Sequence, residues 1–471
     1  LAARFFFICG RCFIQQPGFF WILPFGILTK SLYNYFVKTI TSVSSLVNIR
    51  SDHPDKEPVI ALFNYGGGLR GLIPAHIMTR IEKKTGLRMS EMVDVFCGPS
   101  TGAILNAALT LPHPDHPQRA KYYARHMVMF YEREAQNIFP RDRFRELRGL
   151  LHDFNNRLTK ISQLESVFKH GHYNPSHLGR SLRALYGHAK LSDSLKSLII
   201  PFYSIDGSNT PDGYSHESPT RAMKHYAREG GHAVWLRHMR LHNGQHHINS
   251  QPQVSLYDAV MASCAAPTYF PCHNFDIEWG DKRGVKNYSG IDGNIFDNPA
   301  VSYYGSLQKQ LDPHQKLIMI GLGTGYSNRS ISKDKWNKYG SLGVVDPVND
   351  LPLINIFFHA SESALSHSLT HELGDDLFMF NRTLLDGDPT TPNIQIDDGS
   401  AENLKKLRDF AESIMEERAK QLDDVCELLV NNRDKKQHYV RDEQKTEKRS
   451  FFHFFLGDSK NEKKSEKKTD K

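Results

Sequence analysis

Long apolar runs, a cysteine framework and metal-binding signatures are all missing from this chain. Its longest apolar run near the N-terminus, residues 18–29, is about 12 residues, whereas a bilayer-spanning helix needs about 20. Six cysteines at positions 9, 12, 97, 264, 272 and 426 follow no regular spacing, which argues against a disulfide scaffold. The CxxC at 9–12 sits in an apolar stretch without a thioredoxin-like context. Histidine is abundant at 24 residues, yet no HExxH and no paired cysteine set accompanies it. His238, His242 and His246 are spaced for one helix face, but Asn243 and Gly244 interrupt a helix there. The sequence therefore predicts no metal and no cofactor.

Charge is uneven rather than extreme. The formal net charge is +7, with residues 1–50 and residues 431–471 each carrying +5, so the residues between them sum to −3. Both ends also hold aromatics, among them Phe5, Phe6, Phe7, Phe19, Phe20 and Trp21 at the front and Phe451, Phe452, Phe454 and Phe455 at the back. Cations beside aromatics suit an anionic membrane surface, so residues 1–54 read as an interfacial or targeting extension and peripheral membrane association is expected. Acidic residues interleave the basic tail and the centre is slightly acidic, which argues against a nucleic-acid partner. The Lys- and Glu-rich residues 431–471 read as a disordered, charged tail.

Three short segments carry the chemistry. Residues 59–63 have a buried-strand pattern, the glycine loop GGGLRG follows at 66–71, and Leu72, Ile73, Ile77 and Ile81 then recur at helical spacing. The loop lies between strand and helix but has no P-loop lysine and no full dinucleotide pattern. Its bare glycines Gly66, Gly67 and Gly68 let their amides approach a substrate oxygen, as an oxyanion hole requires. Arg70 adds charge for a lipid phosphate or holds the loop, and Gly71 closes the motif. A second strand-like stretch, 92–97, runs into GPSTG, where Gly98 and Gly102 make room for a sharp turn that exposes the Ser100 hydroxyl before an apolar helix. That helix directs its N-terminal amides at the serine. The third segment is Asp292-Gly293 at the end of a short strand, 287–291, with Asn298-Pro299 downstream as a helix cap and first turn. An aspartate serves as base for a serine hydroxyl only if it is partly desolvated and within hydrogen-bond reach of it.

Each segment has plainer readings: a tight turn or phosphate cradle for the glycines, an ordinary turn for GPSTG, a turn cap for Asp292. A Ser/Asp/His triad of the α/β-hydrolase kind is the rival enzyme, because His359, His367 and His371 follow Asp292 in the required order. Those histidines fall on a helix-like stretch, and no histidine directly precedes the glycines.

In this order the segments resemble the patatin-like phospholipases, which carry a glycine-rich oxyanion loop, a GxSxG serine and a DGG or DGA aspartate. ASCAAPTYFP at 262–271 and LIMIGLGTG at 317–325 are similar to patatin segments too, and the resemblance covers roughly residues 55–425. It implies a Ser/Asp dyad with Ser100 as nucleophile and Asp292 as proton acceptor, an oxyanion hole at Gly66, Gly67 and Gly68, and metal-independent cleavage of fatty-acyl esters in membrane phospholipids or other glycerolipids. It also implies an α/β fold, a three-layer α/β/α sandwich around a central, mostly parallel sheet. Two departures stand out: Tyr65 occupies the place of the family's aspartate before the glycines, and Asn294 that of the third residue in the aspartate motif. The first bears on the loop's conformation, the second on substrate preference. A membrane-binding scaffold that kept the fold without turnover is the reading from a different class.

Strand patterns recur near 195–203, 233–237, 288–292, 317–321 and 376–380, alternating with helices, so one catalytic domain is expected over 55–430. Residues 112–190 interrupt it as a helical insertion, read equally as a lipid-facing lid or a solvated spacer. A final helical segment, 401–430, closes the domain.

Overall fold

The computed structural model describes residues 58–139, 173–206, 231–240, 252–344 and 352–436, apart from short stretches within the last two segments. All of these belong to one compact unit that begins at Asp55; residues 1–54 form the other unit. The expectations for the N-terminal extension and for residues 437–471 lie outside the described residues.

Nine strands form one mixed sheet in the order β10-β8-β1-β2-β3-β7-β6-β5, with β4 on the other side of β3. The parallel block contains β1 (Val59–Asn64), β2 (Val95–Cys97), β3 (Ser197–Ser204), β8 (Leu317–Leu322) and β10 (Leu377–Phe380). The antiparallel part contains β4 (His232–His238), β5 (Pro252–Gln253), β6 (His273–Trp279) and β7 (Gly284–Asp292). A separate short pairing joins β9 (Tyr326–Ser327) to β11 (Thr383–Leu384). The sheet is thus parallel at its centre, with an antiparallel wing beyond β3.

Side-chain pattern explains the division. β1 is buried at all six positions, the pattern of a strand covered on both faces. Alternate residues of the parallel strands feed two cores: Ile60, Leu62, Phe96, Leu198, Ile200 and Ile320 enter one, while Val59, Ala61, Phe63, Val95, Ile199 and Met319 enter the other. The larger core is closed by α1 (Leu72–Thr85), α2 (Thr101–Thr110), α3 (Ala124–Ile138), α4 (Pro175–Tyr186), α5 (Leu256–Ser263) and α8 (Ala401–Glu417). The smaller is closed by α6 (Pro299–Ser302), the π-turn that continues it, and α7 (Pro352–Leu373). That arrangement is a three-layer α/β/α sandwich. Each fully buried Leu, Ile or Phe in these layers contributes roughly 1.5–3 kcal/mol. On β6, by contrast, Phe275, Ile277 and Trp279 are buried between exposed Asn274, Asp276 and Glu278, so the wing has one solvated face.

Two expectations change. The described helices of the 112–190 insertion bury Met127, Phe130, Tyr131, Ala135, Leu178 and Leu182 in the principal core. Their apolar stripes make these two helices part of the helical layer, while residues 140–172 of the insertion lie outside the described residues. At the other end, helix continues over 419–436, past the expected boundary at 430. Asn432 is buried there, and the Lys436 ammonium donates to the Pro58 carbonyl and to Asp94, which itself accepts from the Ile60 N–H. The first residues of the expected disordered tail therefore belong to the folded domain.

Candidate active site

β2 is only three residues long, and its brevity shapes the site. It pairs with residues 197–199 of β3, after which the chain turns away at Gly98. β4 runs along 198–204 on the opposite edge of β3. The edge that β2 vacates is taken by β7, which pairs with residues 202–204 and places Asp292 opposite Phe202. Both Ser100 and Asp292 therefore come off the same edge of one strand.

Ser100 has φ 54° and ψ −124°, the one positive φ at a non-glycine residue among those described. Such a conformation costs about 1–3 kcal/mol and persists only where surroundings over-determine it. The surroundings are specific. The Asn64 carbonyl, at the end of β1, occupies the space that a Cβ on Gly98 or on Gly102 would need. Asn64 is itself buried and fixed by Nδ2 donating to Asn106 Oδ1 at 2.7 Å. The Ser100 N–H donates to Ser263 Oγ at 3.0 Å, and the Ser263 hydroxyl donates to the Pro201 carbonyl at 2.6 Å. α2 starts at the next residue, so its positive end adjoins the serine.

Asp292 is 3% exposed. Its N–H donates to the Ala265 carbonyl at 3.0 Å, and its Oδ1 accepts from the Asn294 N–H at 2.8 Å. Burial pushes the Asp292 carboxyl up to about 7, against the lowering effect of the Asn294 N–H and of the nearby Ser100 hydroxyl. Gly293 must be bare because a Cβ would meet the Pro201 carbonyl. Cys264 is buried, which raises its thiol pKa well above the usual value.

The glycine loop crosses on the other side. Gly68 begins a short 3-10 turn, Gly68–Gly71, whose entry requires positive φ at Gly67 (155°) and Gly68 (58°). Its flanks are pinned by Tyr65 N–H to the Leu322 carbonyl at 3.1 Å and Leu69 N–H to the Ile396 carbonyl at 2.8 Å. Between these pins, the N–H groups of Gly66, Gly67 and Gly68 meet no acceptor among the described residues. Three adjacent backbone donors are thus left unsatisfied in a loop whose Gly68 lines the same cavity as Ser100. The Asn294 side chain lies against Gly66, which ties the aspartate segment to the loop. Arg70 is buried, its Nε and Nη1 without a hydrogen-bond partner among the described residues. Burial lowers its pKa to about 10, partly offset by Tyr269. Gly71 lies under the hydroxyls of Thr101 and Tyr131, which are bonded to each other.

A narrow cavity of about 40 Å³ opens at Ser100, lined by Gly68 and Leu69 together with Ile104, Tyr131, Ile138, Phe139, Leu178, Cys264, Tyr269, Phe270 and Ile396. The wall is apolar, and no histidine contributes to it. His367 and His371 are exposed on α7, while the side chain of His359 lies outside those described. Of the three metal-spaced histidines, His238 ends a strand, β4, whereas His242 and His246 lie outside the described residues. No group of three or more His, Cys, Asp or Glu side chains among the described residues is placed to hold a metal, and no helix among them is long and apolar enough to cross a membrane. Sequence reasoning placed the loop, the serine and the aspartate but missed Ser263 and the aromatic wall. The run of small residues 262–266 after α5 is the only local signal for the former.

The chain is similar to several known proteins. Patatin-like protein 2 of Arabidopsis thaliana is 26% identical over 330 residues, covering 65% of this chain and 70% of that protein. Patatin-like protein 2 of Oryza sativa subsp. indica is 24% identical over 410 residues, covering 82% and 90%. Patatin-16 of Solanum tuberosum is 22% identical over 384 residues, covering 76% and 84%. Among solved structures, VipD from Legionella pneumophila aligns over 76% of this chain and 67% of its own, at 12% identity and a TM-score of 0.24. The family model of patatin-like phospholipases matches residues 65–303, just over half the chain. Because that match runs without a break from the glycine loop to beyond the aspartate, the chain belongs to the patatin-like phospholipase family, a family of lipid acyl hydrolases.

Proposed function

We propose that the protein cleaves fatty-acyl esters of membrane glycerolipids through a Ser100/Asp292 dyad, with the amides of Gly66, Gly67 and Gly68 as the oxyanion hole. The observation that carries this reading is a serine with forced positive φ at an apolar cavity, with a buried carboxylate delivered to the same edge of β3. Asp292 takes the hydroxyl proton as Oγ attacks the ester carbonyl. The carbonyl oxygen becomes an anion, which the glycine amides, the start of α2 and the charge of Arg70 stabilise. Collapse expels the lipid alcohol, which receives the proton from Asp292, and leaves an acyl group on Ser100. Water then gives its proton to Asp292 and attacks the acyl-enzyme, releasing the fatty acid and restoring the serine. The apolar wall suits an acyl chain, and a pKa near 7 suits a base that works at neutral pH.

The test is fatty-acid release from mixed phospholipid vesicles in EDTA, comparing wild type with Ser100→Ala and Asp292→Asn. Each substitution is expected to lower turnover by roughly 10³- to 10⁴-fold with unchanged circular dichroism. Turnover within tenfold of wild type in either variant overturns the dyad.

A further inference from the structure

The geometry points to Glu362, on α7, as a positioning residue that holds the glycine loop in its anion-binding shape through Tyr65. The inference rests on the dyad and oxyanion-hole reading above and adds a residue to it from a part of the chain almost 300 positions away.

A run of three glycines has little intrinsic preference for one conformation. Its shape must come from what grips its ends. The exit is held by the Ile396 carbonyl. The entry is Tyr65, whose ring packs edge-to-face on Phe63 at 5.1 Å between centroids and whose hydroxyl donates to Glu362 Oε1 at 2.8 Å. Tyr326 lies near both the carboxylate and Tyr65. Asn381 Oδ1 accepts from the Gly325 N–H at 2.9 Å, and Thr324 Oγ1 donates to the Gly66 carbonyl at 2.7 Å. Bonds thus tie Tyr65 to α7 and Gly66 to the loop after β8.

Within that set Glu362 has a distinct place. Tyr65 donates its hydroxyl to this carboxylate beside Tyr326, and burial raises the pKa of both phenols, keeping them neutral. Removing the acceptor would leave the buried Tyr65 hydroxyl unsatisfied, which drives Tyr65 to swing toward another partner. Because Tyr65 directly precedes Gly66, any rotation of its backbone re-aims the amides that follow. The family's aspartate is absent at residue 65, and here the carboxylate arrives from α7 with a tyrosine as spacer.

The experiment measures ester turnover and the rate at which a fluorophosphonate probe labels the protein, since the probe's phosphoryl oxygen needs the same amides. Glu362→Ala and Tyr65→Phe are each expected to lower kcat and the labelling rate about tenfold with KM changed less than about twofold. The double variant is expected to be no worse than either single one, because both remove one contact. Glu362→Gln, which still accepts from Tyr65, is expected to stay within about threefold of wild type. Wild-type rates in Glu362→Ala and Tyr65→Phe overturn the assignment, as do additive losses or losses confined to KM. If Glu362→Ala does not fold, Tyr65→Phe and Glu362→Gln decide by the same criteria. Ser100→Ala separates the two levels: loss of labelling there with normal rates in the Glu362 variants removes this inference alone, whereas labelling that survives Ser100→Ala removes the dyad and the inference with it.

Discussion

Ser100 and Asp292, the proposed nucleophile and base, are held by opposite means. Ser100 sits between two strands of the parallel block, with β1 buried on both faces, and its geometry is forced by backbone packed against backbone. Asp292 is delivered by the tip of the antiparallel wing, where β6 and β7 alternate between buried and solvated residues. The serine is placed by covalent shape, and the aspartate by hydrogen bonds at a strand end: its own N–H to Ala265 and its carboxylate to Asn294. Rigid packing suits an attacking atom, whose path must not vary. A strand tip suits a base, whose pKa depends on how completely water is kept away.

The largest expected effect probes the rigid side. Gly98→Ala would drive a Cβ into the Asn64 carbonyl while also forcing φ 142° on an alanine, whereas Gly86, with φ 71°, faces open space. Gly98→Ala is expected to cost several kcal/mol, on the order of 3 or more, and Gly86→Ala about 1. Urea unfolding of both variants measures the difference, and equal costs would mean that the turn is not over-determined.

A second measurement addresses the base. Only ionised Asp292 accepts a proton, so kcat/KM is expected to fall about tenfold per pH unit below about 7 and to level off above it. Stability should move the other way. Folding raises this carboxyl's pKa, so between about 4 and about 7 the folded chain binds a proton that the unfolded chain has released, and stability drops as pH rises through that window. Asp292→Asn removes that component, so the variant should gain stability relative to wild type at pH 8 and little at pH 4. Glu82 and Asp297, also raised to about 7 by burial, stay in both proteins and cancel in the comparison. An identical pH dependence in the two proteins would mean that Asp292 is not shielded.

The smallest effect belongs to the cavity wall between them. Phe139→Ala should widen the pocket and shift preference toward longer or bulkier acyl chains by about two- to fivefold, read as kcat/KM across a chain-length series. A uniform loss across the series would place Phe139 in the fold rather than in the pocket.

What the sequence made legible follows the same division. The glycine loop and the serine turn are local, each a strand, a few small residues and a helix within about 20 positions, and both were readable with their boundaries nearly right. The parallel strands β1, β3, β8 and β10 were visible because their apolar residues run together. β6 escaped notice although Phe275, Ile277 and Trp279 alternate, because Asn, Asp and Glu between them lower strand propensity. The aspartate was readable as a motif, yet nothing local says that it meets Ser100. Bringing both to one edge of β3 depends on β7 pairing with a strand 90 residues earlier, Asp292 opposite Phe202. Ser263, the aromatic wall and Glu362 were invisible for the same reason, since each acts only through a contact that the fold creates.

The three-residue length of β2 therefore works as a ruler. Whatever β2 leaves uncovered on β3 is what β7 can occupy: β2 stops opposite Ile199 and Asp292 lies opposite Phe202, with two residues of β3 between. One more paired residue on β2 would carry Ser100 along the edge relative to Asp292 by a strand step of about 3.3 Å. The separation of Ser100 from Asp292 is thus written in the length of a strand that holds neither of them.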